Sequence, residues 1–226
     1  MTLAGPTDKL PSTRSPVFHV KHDYSAQLEG LSEDQIARLR ALEDLLRRRA
    51  IPLGMIARAD GSSLFDRHVL DSLRARRCLG PDDHLLADIG SGAGLPGLPL
   101  AIARPDVHVA LIEQRGKRAA FLELAVEELG LSSVSVFTGP VEQYRREADV
   151  AFARALAPPQ VAWNLAAPIL RPGGRLVYFA GASWASSEAQ ELTGRRISTE
   201  IVAQGRVAGE GPLVMMWRTA EPRDEE

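Results

Sequence analysis

Cysteine is almost missing from this chain: Cys78 stands alone in 226 residues, which excludes an internal disulfide and points to a cytoplasmic protein with one small buried thiol. Long apolar runs are missing too. The longest weakly charged stretch, Leu85 to Ala103, is broken by Asp88, four glycines and two prolines, so it is unsuited to crossing a bilayer. No apolar core follows the first basic residues, and a secretory leader is therefore not expected. Nor is there an excess of either charge: 27 basic residues against 29 acidic ones leave a net charge of −2, without the global signature of a nucleic-acid binder. Internal repeats and low-complexity tracts are absent as well. What is present is an ordinary soluble composition, 45% hydrophobic and 25% charged, long enough to bury one good core.

Charge is nevertheless uneven along the chain. Ala37 to Arg77 carries ten arginines against five acids, so one face of the molecule is expected to be basic. Within it, Arg47-Arg48-Arg49 reads either as a solvated helix end whose cations complement the macrodipole or as a phosphate-contacting patch. Residues 1–30, with prolines at 6, 11 and 16, read as a flexible arm. Ser32-Glu33-Asp34-Gln35 is a capping box, and Ile36, Leu39, Leu42, Leu45 and Leu46 form one apolar stripe behind it. That helix and a second over Leu64 to Leu73 make a helical extension at 31–80.

From residue 81 the pattern alternates. Strands are expected at 85–89, 107–112, 133–137 and 149–153, helices at 96–103, 117–129 and 159–170, then a strand ending near Phe179 and a closing hairpin from 197–204 and 212–218. This predicts an α/β, doubly wound, Rossmann-like sheet over 81–218 with an antiparallel last strand, followed by a disordered acidic tail at 219–226.

The most informative stretch is Asp88-Ile89-Gly90-Ser91-Gly92-Ala93-Gly94-Leu95-Pro96-Gly97, an apolar strand entering a glycine-spaced turn. Counted from Gly92, it satisfies the G-x-G-x-x-G dinucleotide pattern, and Glu113 follows 21 residues on, a match to NAD binding. Counted from Gly90, the first glycine after the strand, the spacing is G-x-G-x-G. That frame, with Asp88 inside the strand end and Glu113 ending the next strand, fits S-adenosylmethionine, whose two ribose hydroxyls Glu113 would accept.

The same stretch, preceded by Arg67-His68-Val69-Leu70-Asp71-Ser72-Leu73 and followed by Lys117-Arg118-x-x-Phe121-Leu122, resembles the RsmG (GidB) family of bacterial small-subunit ribosomal RNA guanine-N7 methyltransferases. The resemblance covers about residues 31–181. It implies an S-adenosyl-L-methionine-dependent methyltransferase acting on ribosomal RNA or the 30S particle, with no metal and no membrane partner, working as a cytoplasmic monomer. It places cofactor contacts at Gly90, Gly92, Leu95, Glu113, Val141, Glu142 and Arg154. Arg154 is also the candidate catalytic residue, orienting the base or the cofactor, and Arg67, His68, Lys117 and Arg118 are the candidate RNA contacts. Guanine N7 carries its own lone pair, so the chemistry needs no nucleophilic cysteine or carboxylate dyad. The chain departs from the family pattern at Gly54-Met55-Ile56, Ala153 and Ala180, mostly by losing polar groups. Alternative readings are a divergent paralogue with another RNA or small-molecule substrate, and a non-catalytic RNA-binding module.

Overall fold

The computed structural model describes residues 25–193, 195–205 and 210–219. Most of the expected arm (1–24) and tail (220–226) lie outside the described residues. The arm reading fails for its last residues: Ser25–Leu28 (α1) is helical, and Arg76 Nη1 ties it down by donating to the carbonyls of Gln27 and Glu29, both at 3.1 Å.

Helix α2 (Glu33–Leu45) opens on the expected capping box, with Gln35 N donating to Ser32 Oγ at 3.2 Å and Ser32 N to Gln35 Oε1 at 2.9 Å. Gln35 also donates from Nε2 to the carbonyls of Ile102 and Ala103, satisfying acceptors that a helix end leaves open. Its stripe residues Leu39, Leu42, Leu45 and Leu46 are buried in the same cluster as the sheet residues Leu86 and Phe152. The helical extension therefore has no core of its own. The second helical stretch is longer than the sequence pattern suggests: a π-helical turn (Phe65–Leu70), a short α3 (Asp71–Leu73) and a 3₁₀ turn (Arg74–Cys78) follow without a break.

The sheet is built from β1 (Leu85–Ile89), β2 (His108–Glu113), β3 (Val134–Thr138), β4 (Ala148–Arg154), β5 (Leu170–Phe179), β6 (Ile197–Ala203) and β7 (Leu213–Arg218). Their spatial order is β3-β2-β1-β4-β5-β7-β6. The first five are parallel to their neighbours, whereas β7 runs antiparallel to both β5 and β6. Helices α4 (Gly97–Ala103) and α5 (Gly116–Glu128) follow β1 and β2, α6 (Pro159–Ala166) follows β4, and α7 (Ser186–Thr193) follows β5.

Because side chains alternate across a sheet, the strands feed two cores. Leu86, Leu111 and Phe152 join the helical extension, α4 and α5 on one face. Ala87, Ile112, Ala151 and Tyr178 join α6 and Leu192 of α7 on the other. The chain reverses its direction of winding between β1 and β4, and in such sheets the crevice outside the carboxyl ends of those strands is where ligands bind.

The junction of β1 and α4 is tight. A Cβ on Gly97 would overlap the Leu111 side chain and stand 2.8 Å from Asp88 Oδ2. Gly97→Ala is expected to cost about 1–3 kcal/mol of stability through overpacking, read as a lower denaturant midpoint with an unchanged slope.

Candidate functional site

At that crevice lies a cavity of about 480 Å³, lined by the residues that follow the first four strands. Gly90 closes β1, Glu113 ends β2, Val141 and Glu142 form a 3₁₀ turn after β3, and Ala155 and Leu156 follow β4. Gly90 is needed on two counts: its φ is +70°, and a Cβ there would come within 2.6 Å of Leu156 Cδ1.

Glu113 is buried at the cavity wall. Its Oε2 accepts from Gly92 N at 3.0 Å and its Oε1 from Arg115 N at 2.9 Å, so the carboxylate joins the glycine turn to the loop after β2. Each oxygen has a second lone pair with which to accept from a hydroxyl donor. Asp88 lies beneath the turn, fully buried, and accepts from Gly97 N at 3.0 Å. Burial pushes its pKa up to about 7, against the pull of the Gly97 amide, Ser91 and Arg154.

Not every expected contact reaches this cavity. Gly90, Glu113, Val141 and Glu142 line it; Gly92 touches its wall through Glu113. Leu95 instead packs against the core, because the turn directs it away from the crevice. Arg118, expected on the RNA side, lines the cavity, whereas Lys117 is exposed at the start of α5.

Arg154 departs furthest from expectation. Its guanidinium points to the helical layer, with Nη2 3.0 Å from Asp71 Oδ2 and Nη1 donating to Ser72 Oγ at 3.0 Å. It also donates to the backbone carbonyls of Arg67 and His68. Burial lowers its pKa, opposed by Asp71 and Asp88. A fork so committed braces β4 against the 65–78 helix, and does not line the cavity between β1 and β4. His68 sits 3.2 Å from Asp60 Oδ2, and its pKa is lowered by burial first and Arg154 second, leaving a neutral imidazole at pH 7. Arg67 is half exposed and paired with Asp60 at 2.9 Å.

Sequence reasoning missed Arg115, Gly139 and Ala155 in the lining. The first two lie just beyond the ends of β2 and β3, so the strand-end rule could have found them. Ala155 has φ of +49°, an unusual value for alanine that no sequence signal announces. Of the Arg47-Arg48-Arg49 run, Arg47 pairs with Glu43 and Arg48 with Asp44 on the preceding turn, which favours the solvated-helix reading. No helix among the described residues is long and apolar enough to cross a membrane.

The family model described as rRNA small subunit methyltransferase G (GidB) matches residues 35–209. Proteins named "Ribosomal RNA small subunit methyltransferase G" are similar to this chain. The one from Kineococcus radiotolerans is 35% identical over 190 residues, covering 80% of this chain and 74% of its own. That from Mycobacterium leprae is 43% identical over 143 residues, or 61% of this chain, and the match spans only 58% of the relative's length. Among solved structures, the O-methyltransferase TomG of Streptomyces achromogenes, in complex with SAM, superposes with a TM-score of 0.57 at 18% identity, covering 87% of this chain and 94% of that one. The ribosomal protein L11 methylase of Lactobacillus delbrueckii subsp. bulgaricus gives 0.53 at 14% identity, covering 68% and 79%. These two likenesses establish the fold.

Two outcomes follow from the buried charges. An unfolded aspartate titrates near about 3.9, so between about pH 4 and the folded value of about 7 the native state holds a proton on Asp88 that the unfolded chain has released. The stability this group contributes is complete below about pH 4, falls as pH rises through that window and levels off above it. Asp88→Asn retains an acceptor for Gly97 without titrating, so its melting temperature should gain on the wild type from pH 4 to pH 8; a constant difference would rule out the titration. Arg154→Ala leaves Asp71 short of a cation in the interior and should cost about 3 kcal/mol or more in chemical denaturation.

Proposed function

The chain belongs to the rRNA small subunit methyltransferase G (GidB) family, and on that footing we propose that it transfers a methyl group from S-adenosylmethionine to N7 of a guanosine in small-subunit ribosomal RNA, in the bacterial cytoplasm. The observation that carries the reading is Glu113, a buried carboxylate closing β2 on the wall of a 480 Å³ cavity beside Gly90.

The residues suit this cofactor better than a dinucleotide. A pyrophosphate needs a free helix N-terminus, and here Gly97 N, the first amide of α4, is already bonded to the Asp88 carboxylate. Glu113 is placed to accept from ribose hydroxyls, Val141 to meet the adenine face, and Glu142 to meet its edge. When bound, S-adenosylmethionine supplies a methyl carbon made electrophilic by a sulfonium.

In the transfer the N7 lone pair forms the new N–C bond while the S–C pair stays on sulfur, and no proton has to leave. The protein's task is alignment and exclusion of water, which can supply roughly 7–11 kcal/mol. The product base is cationic, so a free cation beside N7 would oppose the reaction. Arg154 avoids this because its charge is committed to Asp71. Arg115 and Arg118 at the cavity, with Lys117 exposed nearby, offer positive charge where an RNA backbone would approach.

Tritium transfer from labelled S-adenosylmethionine into 30S subunits from a strain lacking its own enzyme of this family should yield labelled 7-methylguanosine; cofactor binding without label would overturn the substrate. Glu113→Ala should weaken S-adenosylhomocysteine binding by roughly 1.5–3 kcal/mol in calorimetry, the loss expected for charged hydrogen bonds.

A further inference from the structure

A second, smaller cavity of about 250 Å³ opens beyond β4, and it shares Ala155 with the cofactor cavity. Tyr178 and Phe179, the last residues of β5, supply aromatic surface to it, and Glu210, just before β7, supplies a carboxylate. The Glu210 side chain is buried, with Oε2 3.8 Å from Arg74 Nη1. Since β5 lies between β4 and β7, Ala155 and Glu210 stand on opposite walls, about two strand spacings or roughly 10 Å apart.

Guanine has a matching polarity. Its N7 and O6 acceptors lie on one edge, while the N1–H and N2–H donors lie on the opposite one. A guanine entering with N7 toward the Ala155 wall presents both donors to the far wall, where one carboxylate can accept them side by side. Adenine in that pose offers an N1 acceptor and no 2-amino group, and would be repelled.

Resting on the methyl-transfer reading above, we propose that this second cavity receives the target guanine, turned out of its RNA stack, and that Glu210 is the residue that selects it. Glu210 also favours the reaction itself. As N7 gains the methyl group, positive charge spreads into the ring and the N1–H becomes a stronger donor, so the bond to Glu210 tightens on the way to product. Arg74 compensates the acid's charge from the side away from the cofactor.

The test uses the full chain and its Glu210→Gln variant, which keeps the side-chain shape. In 30S labelling, the variant should lose roughly 10- to 100-fold in kcat/KM, mostly in kcat, with S-adenosylhomocysteine affinity unchanged. In ligand-detected NMR on protein saturated with S-adenosylhomocysteine, guanosine monophosphate should displace inosine monophosphate, which lacks the 2-amino group, from the wild type; the variant should bind both alike. Labelling by the variant within twofold of wild type, or equal binding of the two nucleotides by the wild type, overturns the role of Glu210. Should the variant fail to fold, the wild-type nucleotide comparison still decides. A wild type that prefers the guanine nucleotide yet leaves 30S unlabelled supports the guanine cavity and overturns only the ribosomal substrate.

Discussion

Asp71 holds two arginines at once, and the arrangement of both cavities depends on it. Its Oδ2 meets Arg154 from β4 and its Oδ1 meets Arg74 at 2.6 Å from the same helical run. Arg74 in turn donates from Nη2 to the carbonyls of Gln204 and Gly211, beside the closing strands. A buried carboxylate between two guanidinium groups is costly to desolvate and more costly to break, so the helical run, the central strand and the far edge of the sheet are held in one geometry.

That clamp explains why the residues of 65–73 share a family signature with the glycine turn although they never enter the cofactor cavity. They set the position of β4, and β4 divides the two crevices. The basic excess counted along Ala37 to Arg77 is largely spent inside the molecule: Arg74 is buried, Arg40 lies over the Phe65 ring, and Arg47 and Arg48 pair with acids one turn back. The positive charge left for a polyanion is concentrated instead around the loop after β2.

The fold was legible because each level of the sequence agreed. The capping box at Ser32, the alternating apolar strands and the glycine turn all specify local structure, and the doubly wound order follows from right-handed crossovers. At the site, Gly90, Glu113, Val141 and Glu142 were legible because a strand end fixes the position of the residue that follows it. Arg154 was placed correctly at the end of β4, yet its partners were not readable, since Asp71 and Ser72 lie more than eighty residues away and meet it only through packing. The same limit hid Glu210. The end of α6 also differed: the helix stops at Ala166 and a 3₁₀ turn over Ala167–Ile169 leads into β5, a boundary that Pro168 enforces by lacking an amide donor.

Ala155 has a consequence for tolerances in length. It is a single residue of wall between two compartments, held in a left-handed backbone conformation that few side chains accept. A thin partition with the smallest side chain that still has a Cβ leaves little protein between donor and acceptor. The partition thus works as a gauge: the thickness of one backbone turn sets the separation the two reactants can attain.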